Sequence, residues 1–368
     1  MVVGKWQLDT PALVVDLDIM QRNIALMQQK ADRAGVRLRP HTKTHRTPAL
    51  AQMQMQAGAY GITVAKVGEA EVMAAHGLQD ILIANQIFGA TKIERLRQVA
   101  HMARIAVGAD NVEQVQALSD TFAAEARPLA VRIEVEVGEQ RSGLVPGPDL
   151  VKLARLIAAS PGLEFEGVFS HEGHTYGAAS QAECAQLFAE SQRATLAAAE
   201  MIRQAGVPCP EVSIGATPSL LLGEIIPGIT EIRPGTYILM DAAQGSAIGD
   251  FSRCAATILA TVVSKPTPHR VVLDAGVKAL TSFTRDKGIC LTPGYGLVRR
   301  FGERISKLYD EHGLLNSERA YQELQIGDKV EIIPNHICPA CNLYDRMFLV
   351  QGDDVIAELP ISCRGKSQ

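Results

Sequence analysis

Lys43 stands in the stretch Arg39-Pro40-His41-Thr42-Lys43-Thr44-His45-Arg46, an amine set among histidines, arginines and small hydroxyl residues. Neighbouring cations and desolvation lower the pKa of an amine, so a lysine in this setting is a candidate Schiff-base former. A solvated basic turn would carry the same residues. Gly215-Ala216-Thr217-Pro218-Ser219 offers backbone amides at a helix start together with two hydroxyls, which suits a phosphate group; an ordinary helix cap is the alternative. His171-Glu172-Gly173-His174 brings imidazoles and a carboxylate that serve as general acid or base, or else form a solvated surface loop. Asn335-His336-Ile337-Cys338-Pro339-Ala340-Cys341 follows an apolar run. On an extended segment residues i and i+2 face the same way, so the spacing predicts that His336 and Cys338 present imidazole and thiolate to one spot. That pair suits Zn²⁺, Mn²⁺ or a similar divalent ion, with positions left open for water or substrate. Cys338 and Cys341 as half of a structural zinc site, or as a redox pair, is the rival reading, and the sequence holds no second Cys-x-x-Cys to complete such a site.

These residues need elements to position them. Lys43 follows the short apolar alternation Val36-Arg37-Leu38 and precedes Thr47-Pro48-Ala49-Leu50, which reads as a helix start with proline in its first turn. Further short strands are predicted at Gly61–Ala65, Ile81–Gln86, Arg104–Gly108, Leu129–Val135, Leu163–His171, Glu211–Gly215 and Ile232–Asp241, with a helical pattern between each and the next. Eight such strands predict an α/β fold, a (β/α)8 TIM barrel whose strand ends form the chemically active rim. A doubly wound open sheet competes, but no Gly-x-Gly-x-x-Gly follows a first strand. The rim would hold His41, Lys43, Lys66, Asn85, Gln86, Asp110, Glu139, Arg141, His171, His174, Thr217, Ser219, Tyr237 and Asp241.

After Cys254 the pattern changes to period two, as in Ala256–Ser264, His269–Gly276, Lys329–Pro334, Arg346–Val350 and Asp354–Pro360, joined by turns such as Gly352-Asp353-Asp354. Strands without intervening helices predict an antiparallel β-domain. The expected organisation is a barrel over residues 16–245, with residues 1–15 and 246–368 forming the β-domain that carries the His336 and Cys338 pair.

With 368 residues, 47% hydrophobic and 21% charged, the chain has the make-up of a globular protein of more than one core. A net charge of −4 argues against an extended nucleic-acid surface. No apolar run reaches the roughly 20 residues of a membrane span. Met1-Val2-Val3-Gly4-Lys5-Trp6 shows no signal or transit pattern, and seven scattered cysteines suit a reducing compartment, so a cytoplasmic location is expected.

Lys43, the Gly215–Ser219 stretch, Arg233-Pro234-Gly235-Thr236-Tyr237, Asp274-Ala275-Gly276 and the His336-x-Cys338 pair occur in order along nearly the whole chain. In combination they resemble the D-threonine aldolase and D-serine dehydratase family, the fold-type III group of pyridoxal phosphate enzymes, which is similar to alanine racemase. The resemblance implies that Lys43 carries pyridoxal phosphate covalently, that Gly215, Thr217 and Ser219 hold its phosphate with Tyr237 nearby, and that Arg141 lies near the cofactor. It also implies a divalent metal on His336 and Cys338, a D-amino acid substrate and a homodimer. His171 or His174 would be the base at the substrate's β-hydroxyl, and Lys43, once freed, the base at Cα.

Two lyase reactions fit that resemblance. Retro-aldol cleavage of a D-3-hydroxy amino acid gives glycine and an aldehyde; dehydration of D-serine or a D-3-hydroxyaspartate gives an oxo acid and ammonia. Family members of the aldolase kind often pair the metal histidine with Asp, and those of the dehydratase kind with Cys. Cys338 therefore points to dehydration, while Pro339, Asn342, Leu343 and Asp345 follow the aldolase pattern, and retro-aldol cleavage is the reading taken. A non-catalytic pyridoxal phosphate carrier on the same barrel is the reading from a different class, and racemisation gives no reason for a metal pair. Arg39, Arg46 and Arg141 are the candidates for recognising a second substrate carboxylate.

Overall fold

The strands that the sequence predicts from Val36 onward form one parallel sheet in the structure, a computed structural model that describes residues 3–368. Met1 and Val2, the start of the expected 1–15 segment, lie outside the described residues. The strands are β1 (Arg37–Leu38), β2 (Ile62–Val64), β3 (Asp80–Gln86), β4 (Arg104–Ala109), β5 (Leu129–Val135), β6 (Leu163–Ser170), β7 (Glu211–Ile214) and β8 (Glu231–Ile232). They lie in the order β1-β8-β7-β6-β5-β4-β3-β2, every neighbour parallel. A bridge between His41 and Thr63, with the Thr63 N–H donating to the Pro40 carbonyl at 2.8 Å, joins the chain after β1 to β2 and closes the barrel.

Helices Pro48–Gln56, Val67–Ala75, Ala90–Met102, Val112–Phe122, Pro148–Ala159, Gln181–Gln204 and Thr217–Leu222 follow the first seven strands in turn. Asn111 and Ser180 start two of them as side-chain caps, accepting from the amides of Gln114 and Glu183. Asp16 does the same for Ile19 at 2.9 Å, at the start of the helix Leu17–Ala34. The eighth strand is shorter than the predicted Ile232–Asp241. Thr236–Ile238 is a turn of 3₁₀ helix, and Asp241 caps the helix Ala242–Ile248.

Charge, rather than apolar packing alone, fills part of the barrel interior. Glu231 accepts from Arg39 Nε and Arg132 Nη1, both at 2.6 Å, and Arg132 Nε reaches Glu166 at 2.5 Å. Asp80 takes Arg39 Nη1 at 2.5 Å, and Arg104 bonds both Asp80 and Glu166. Burial would raise the Glu231 pKa, but the guanidiniums of Arg132 and Arg39 hold it well below the usual carboxylate range. Arg39 is thus committed to the interior, which removes it from the candidates for a substrate carboxylate.

The remaining strands form a sheet in the order Glu303–Arg304, Leu297–Val298, Lys329–Ile333, Ala256–Thr267, Ala12–Asp16, Arg346–Gln351, Asp354–Pro360. All pairs are antiparallel except Ala12–Asp16 with Arg346–Gln351. Arg270–Leu273 branches from Ala256–Thr267 and pairs onward with Gly313–Asn316. Asp274 pins this branch by accepting from the Thr261 N–H at 2.7 Å and Thr10 Oγ1 at 2.5 Å.

The chain divides into two compact units. The barrel unit comprises Met27–Lys43, Pro48–Gly235 and Gly365–Gln368; the β unit comprises the chain up to Leu26, Thr44–Thr47 and Thr236–Arg364. Among the described residues no helix is long and apolar enough to cross a membrane.

Candidate active site

In the barrel unit, Lys43 lies just beyond β1, its backbone N–H directed at His41 Nδ1 at 3.4 Å. Thr42 anchors this turn from beneath, donating from Oγ1 to the Thr63 carbonyl at 3.1 Å. His41 is held neutral, first by burial and then by the charges of Lys43 and Arg233. His171, at the end of β6, has its Nδ1 on the Gly215 carbonyl at 2.9 Å. A carbonyl only accepts, so Nδ1 carries the hydrogen and Nε2 is the bare nitrogen of the neutral ring. Burial, then Lys43 and Arg141, push the His171 pKa down to about 3. Lys43, His171, Arg141 and Arg233 therefore form one electrostatic group at the rim.

Arg141 is the exposed member of that group and reaches Glu134 at 3.4 Å. Glu134 also accepts from Gln86 Nε2 at 2.6 Å and Ser142 Oγ at 2.9 Å, so the loop after β5 is drawn onto the strand that precedes it. Arg233, fully enclosed, bonds Ser213 Oγ and donates to the Ser170 carbonyl at 2.6 Å, linking the ends of β6, β7 and β8. Burial lowers its pKa to about 10, with Glu231 and Glu172 opposing. His174 stands apart from this group. Its Nε2 is 3.4 Å from Ser191 Oγ, its ring packs on Gly138, and the charges that act on it are those of Glu136 and Glu190.

Beyond β7, Gly215 has no room for a side chain, since a Cβ there would stand 2.8 Å from the Arg233 carbonyl oxygen. Ser219 Oγ donates to the Ala216 carbonyl at 3.0 Å, whereas Thr217 Oγ1 is buried and has no hydrogen-bond partner. A buried hydroxyl without a partner is costly, and a phosphate oxygen would satisfy it. The residues present fit the phosphate of a cofactor in this respect.

In the β unit, Asp241 is the organising side chain. Its Oδ1 caps its own helix by accepting from Gln244 at 2.9 Å, and its Oδ2 receives His336 Nδ1 at 3.1 Å and the Ile337 N–H at 3.0 Å. Cys338 Sγ lies 3.3 Å from Thr44 Oγ1 and 3.8 Å from Thr236 Oγ1. Burial works against a charge on His336, but the Cys338 thiolate and the Asp241 carboxylate win and hold its pKa up to about 10.

Alternation along a strand does not bring this pair together. His336 is extended, but Cys338 sits inside the short helix Ile337–Cys341. The two side chains meet because the chain turns into that helix, not because they alternate along a strand. Asp241 is the member of the group that spacing alone did not single out for the metal pair. Its carboxylate on Nδ1 leaves Nε2 for a ligand, the arrangement in which a hydrogen-bonded carboxylate orients a metal-binding histidine. Cys341 is fully buried, and burial first, then the Cys338 charge, push its thiol well above the ordinary range, unlike a ligand thiolate. Among the described residues no cluster of three or more His, Cys, Asp or Glu side chains is arranged to hold a metal ion. A metal on His336 and Cys338 would keep open positions, which fits a catalytic rather than a structural centre.

Tyr237 is fully buried in the turn Thr236–Ile238 and belongs to the β unit. Arg46 donates to Asn342 Oδ1 at 2.7 Å and to the Cys363 carbonyl at 3.3 Å, so its guanidinium has partners within its own unit.

The alanine racemase N-terminal domain family matches residues 15–243, and a serine dehydratase-type domain family matches residues 255–350. A D-threonine aldolase of Arthrobacter sp. is 33% identical over 98% of this chain and 94% of its own length. A D-threo-3-hydroxyaspartate dehydratase of Delftia sp. (strain HT23) is 36% identical over 90% of this chain and 91% of its own. The crystal structure of D-threonine aldolase from Filomicrobium marinum superposes with a TM-score of 0.89 at 31% identity, covering 100% of this chain and 99% of that one.

Proposed function

Since the chain belongs to the alanine racemase-like, fold-type III family of pyridoxal phosphate enzymes that includes D-threonine aldolases and D-hydroxyaspartate dehydratases, we propose that it cleaves D-3-hydroxy amino acids to glycine and an aldehyde. It is a pyridoxal phosphate-dependent lyase, which sets aside the reading as a non-catalytic carrier. Bound pyridoxal phosphate supplies an electron sink, and a bound divalent ion polarises a hydroxyl.

The chain's own residues do the rest. Lys43 is the attachment point of the cofactor, and Thr217, with its unpartnered hydroxyl, holds the phosphate, flanked by Gly215 and Ser219. Arg141 lies by the cofactor and is steadied by Glu134. His336 and Cys338 hold the divalent ion, with Asp241 fixing the imidazole. His171 takes the hydroxyl proton on Nε2, and Lys43, once released, handles the proton at Cα. His174, turned toward Ser191, Glu136 and Glu190, is left outside this chemistry.

The observation that carries the retro-aldol reading is the state of His171, an imidazole kept neutral with Nδ1 already committed and Nε2 bare. Abstraction of a hydroxyl proton is the first chemical step of retro-aldol cleavage, and it needs such a base. One observation favours dehydration instead. Cys338 supplies a thiolate where aldolase-like members often have a carboxylate, and the Delftia dehydratase is 36% identical. Metal dependence draws support from the donor set and from a solved mutant of that dehydratase described as being in the metal-free form. A cytoplasmic homodimer completes the reading, and light scattering of the purified protein reads its mass.

The test is incubation of purified protein with D-threonine, D-serine and D-threo-3-hydroxyaspartate, with and without a chelator. Chelator-sensitive glycine and acetaldehyde from D-threonine bear the proposal out. Pyruvate or oxaloacetate with ammonia, and no glycine, replace it with dehydration.

A further inference from the structure

The loops that carry His171 and the proposed phosphate site are tied together at a single residue. Gly215 spends both backbone groups on the β6 loop: its carbonyl accepts from His171 Nδ1 and its N–H donates to Glu172 Oε2, each at 2.9 Å. The other carboxylate oxygen of Glu172 accepts from Ser170 Oγ at 2.7 Å, and that hydroxyl receives Thr195 Oγ1 at 2.9 Å. Glu172, Ser170 and Thr195 are all fully buried. A buried carboxylate is costly to keep, and the proposed reaction gives Glu172 no proton to move. Its position explains its presence. The N–H and the carbonyl flank the Gly215 Cα, and glycine has no Cβ to restrict rotation there. Once the N–H is released, little else in the residue itself fixes where the carbonyl points.

We propose that Glu172 is a positioning residue: by holding the Gly215 N–H it fixes the Gly215 carbonyl on His171 Nδ1, and so presents Nε2 as the base. The same bond holds the first residue of the short turn that leads into the helix bearing Thr217 and Ser219. The catalytic half of this inference rests on the reading of His171 as the base. The geometric half does not.

The test uses protein with ¹⁵N-labelled histidine, freed of cofactor, with His171→Ala to assign one signal among the nine histidines. In the natural protein His171 shows the Nδ1–H tautomer alone. Glu172→Ala gives a mixture of tautomers, and Glu172→Gln, whose amide oxygen can still accept from Gly215, restores the single form. Glu172→Asp, which draws the carboxylate back from Gly215, gives the same mixture and serves if the alanine variant fails to fold. In the loaded enzyme, Glu172→Ala lowers kcat about 10–100-fold while KM moves far less, as misplacement of a reacting group does. A folded Glu172→Ala protein that keeps the pure Nδ1–H tautomer overturns the proposal. Full activity in His171→Ala overturns its catalytic half and the base assignment with it, whereas the tautomer alone decides the positioning half.

Discussion

Replacing Glu231 by alanine tests whether the charged barrel interior holds the fold together. The residue is fully buried and accepts from Arg39 Nε and Arg132 Nη1 at 2.6 Å and from Ser213 Oγ at 2.7 Å. Its loss leaves three donors, two of them charged, without that acceptor. Unsatisfied buried donors cost about 1–3 kcal/mol each. Asp80 and Glu166 remain on the two arginines, so the loss stays near the roughly 3–5 kcal/mol typical of breaking a buried ion pair. For a unit of about 200 residues that lowers Tm by about 10 °C. Urea unfolding of the cofactor-free protein, followed by circular dichroism, measures it. The pH dependence follows in sign. The folded-state pKa of Glu231 lies well below its ordinary 4.5, so its contribution is fully present above that value and is lost as pH falls through the folded-state pKa. The deficit of the variant is therefore largest near neutrality and narrows below about pH 4.5. A loss under about 1 kcal/mol at pH 7, or a deficit that grows in acid, would refute the reasoning.

Three further outcomes follow from the site. Lys43→Ala removes a cation that depresses His171, so the His171 pKa rises from about 3 yet stays under 6.5 because burial remains; histidine NMR titration of the cofactor-free protein reads it. Thr217→Val weakens pyridoxal phosphate binding about 10–100-fold, the worth of one hydrogen bond to a charged group, seen by spectroscopic titration. Asp241→Asn, which disturbs the carboxylate on His336, lowers Zn²⁺ or Mn²⁺ affinity about 10–100-fold by metal analysis after equilibrium dialysis, and unchanged affinity would remove His336 from the metal site.

What the chain disclosed in advance followed from local rules. Lys43 between a short strand and Pro48, and the alternation of strands with helices up to β7, depend on neighbours in sequence and were legible. The eighth strand was overextended because Tyr237, Ile238, Leu239 and Met240 are apolar and buried whether they form strand, turn or cap. The interior ion pairs are not legible, since Arg39 just beyond β1 and Arg132, Glu166 and Glu231 in three other strands look in sequence like ordinary surface charges. Leu297–Val298 and Glu303–Arg304 escaped notice because two residues carry no period. The i, i+2 spacing pairs His336 with Cys338 for the wrong geometric reason, since Cys338 lies in a helix. Asp241 reached them across nearly a hundred residues of chain, a separation that no spacing rule spans.

The strand Ala12–Asp16 lies in the middle of the antiparallel sheet, with Ala256–Thr267 on one side and Arg346–Gln351 on the other. During synthesis this strand leaves the ribosome long before either partner exists, whereas all eight barrel strands emerge before the sheet's remaining members. The β unit therefore forms last, by receiving a segment made first, and until then an apolar strand waits without its ladder. A nascent chain arrested before Ala256 should hold a protease-resistant barrel and a cleavable leading segment, a state in which chaperone binding is most needed.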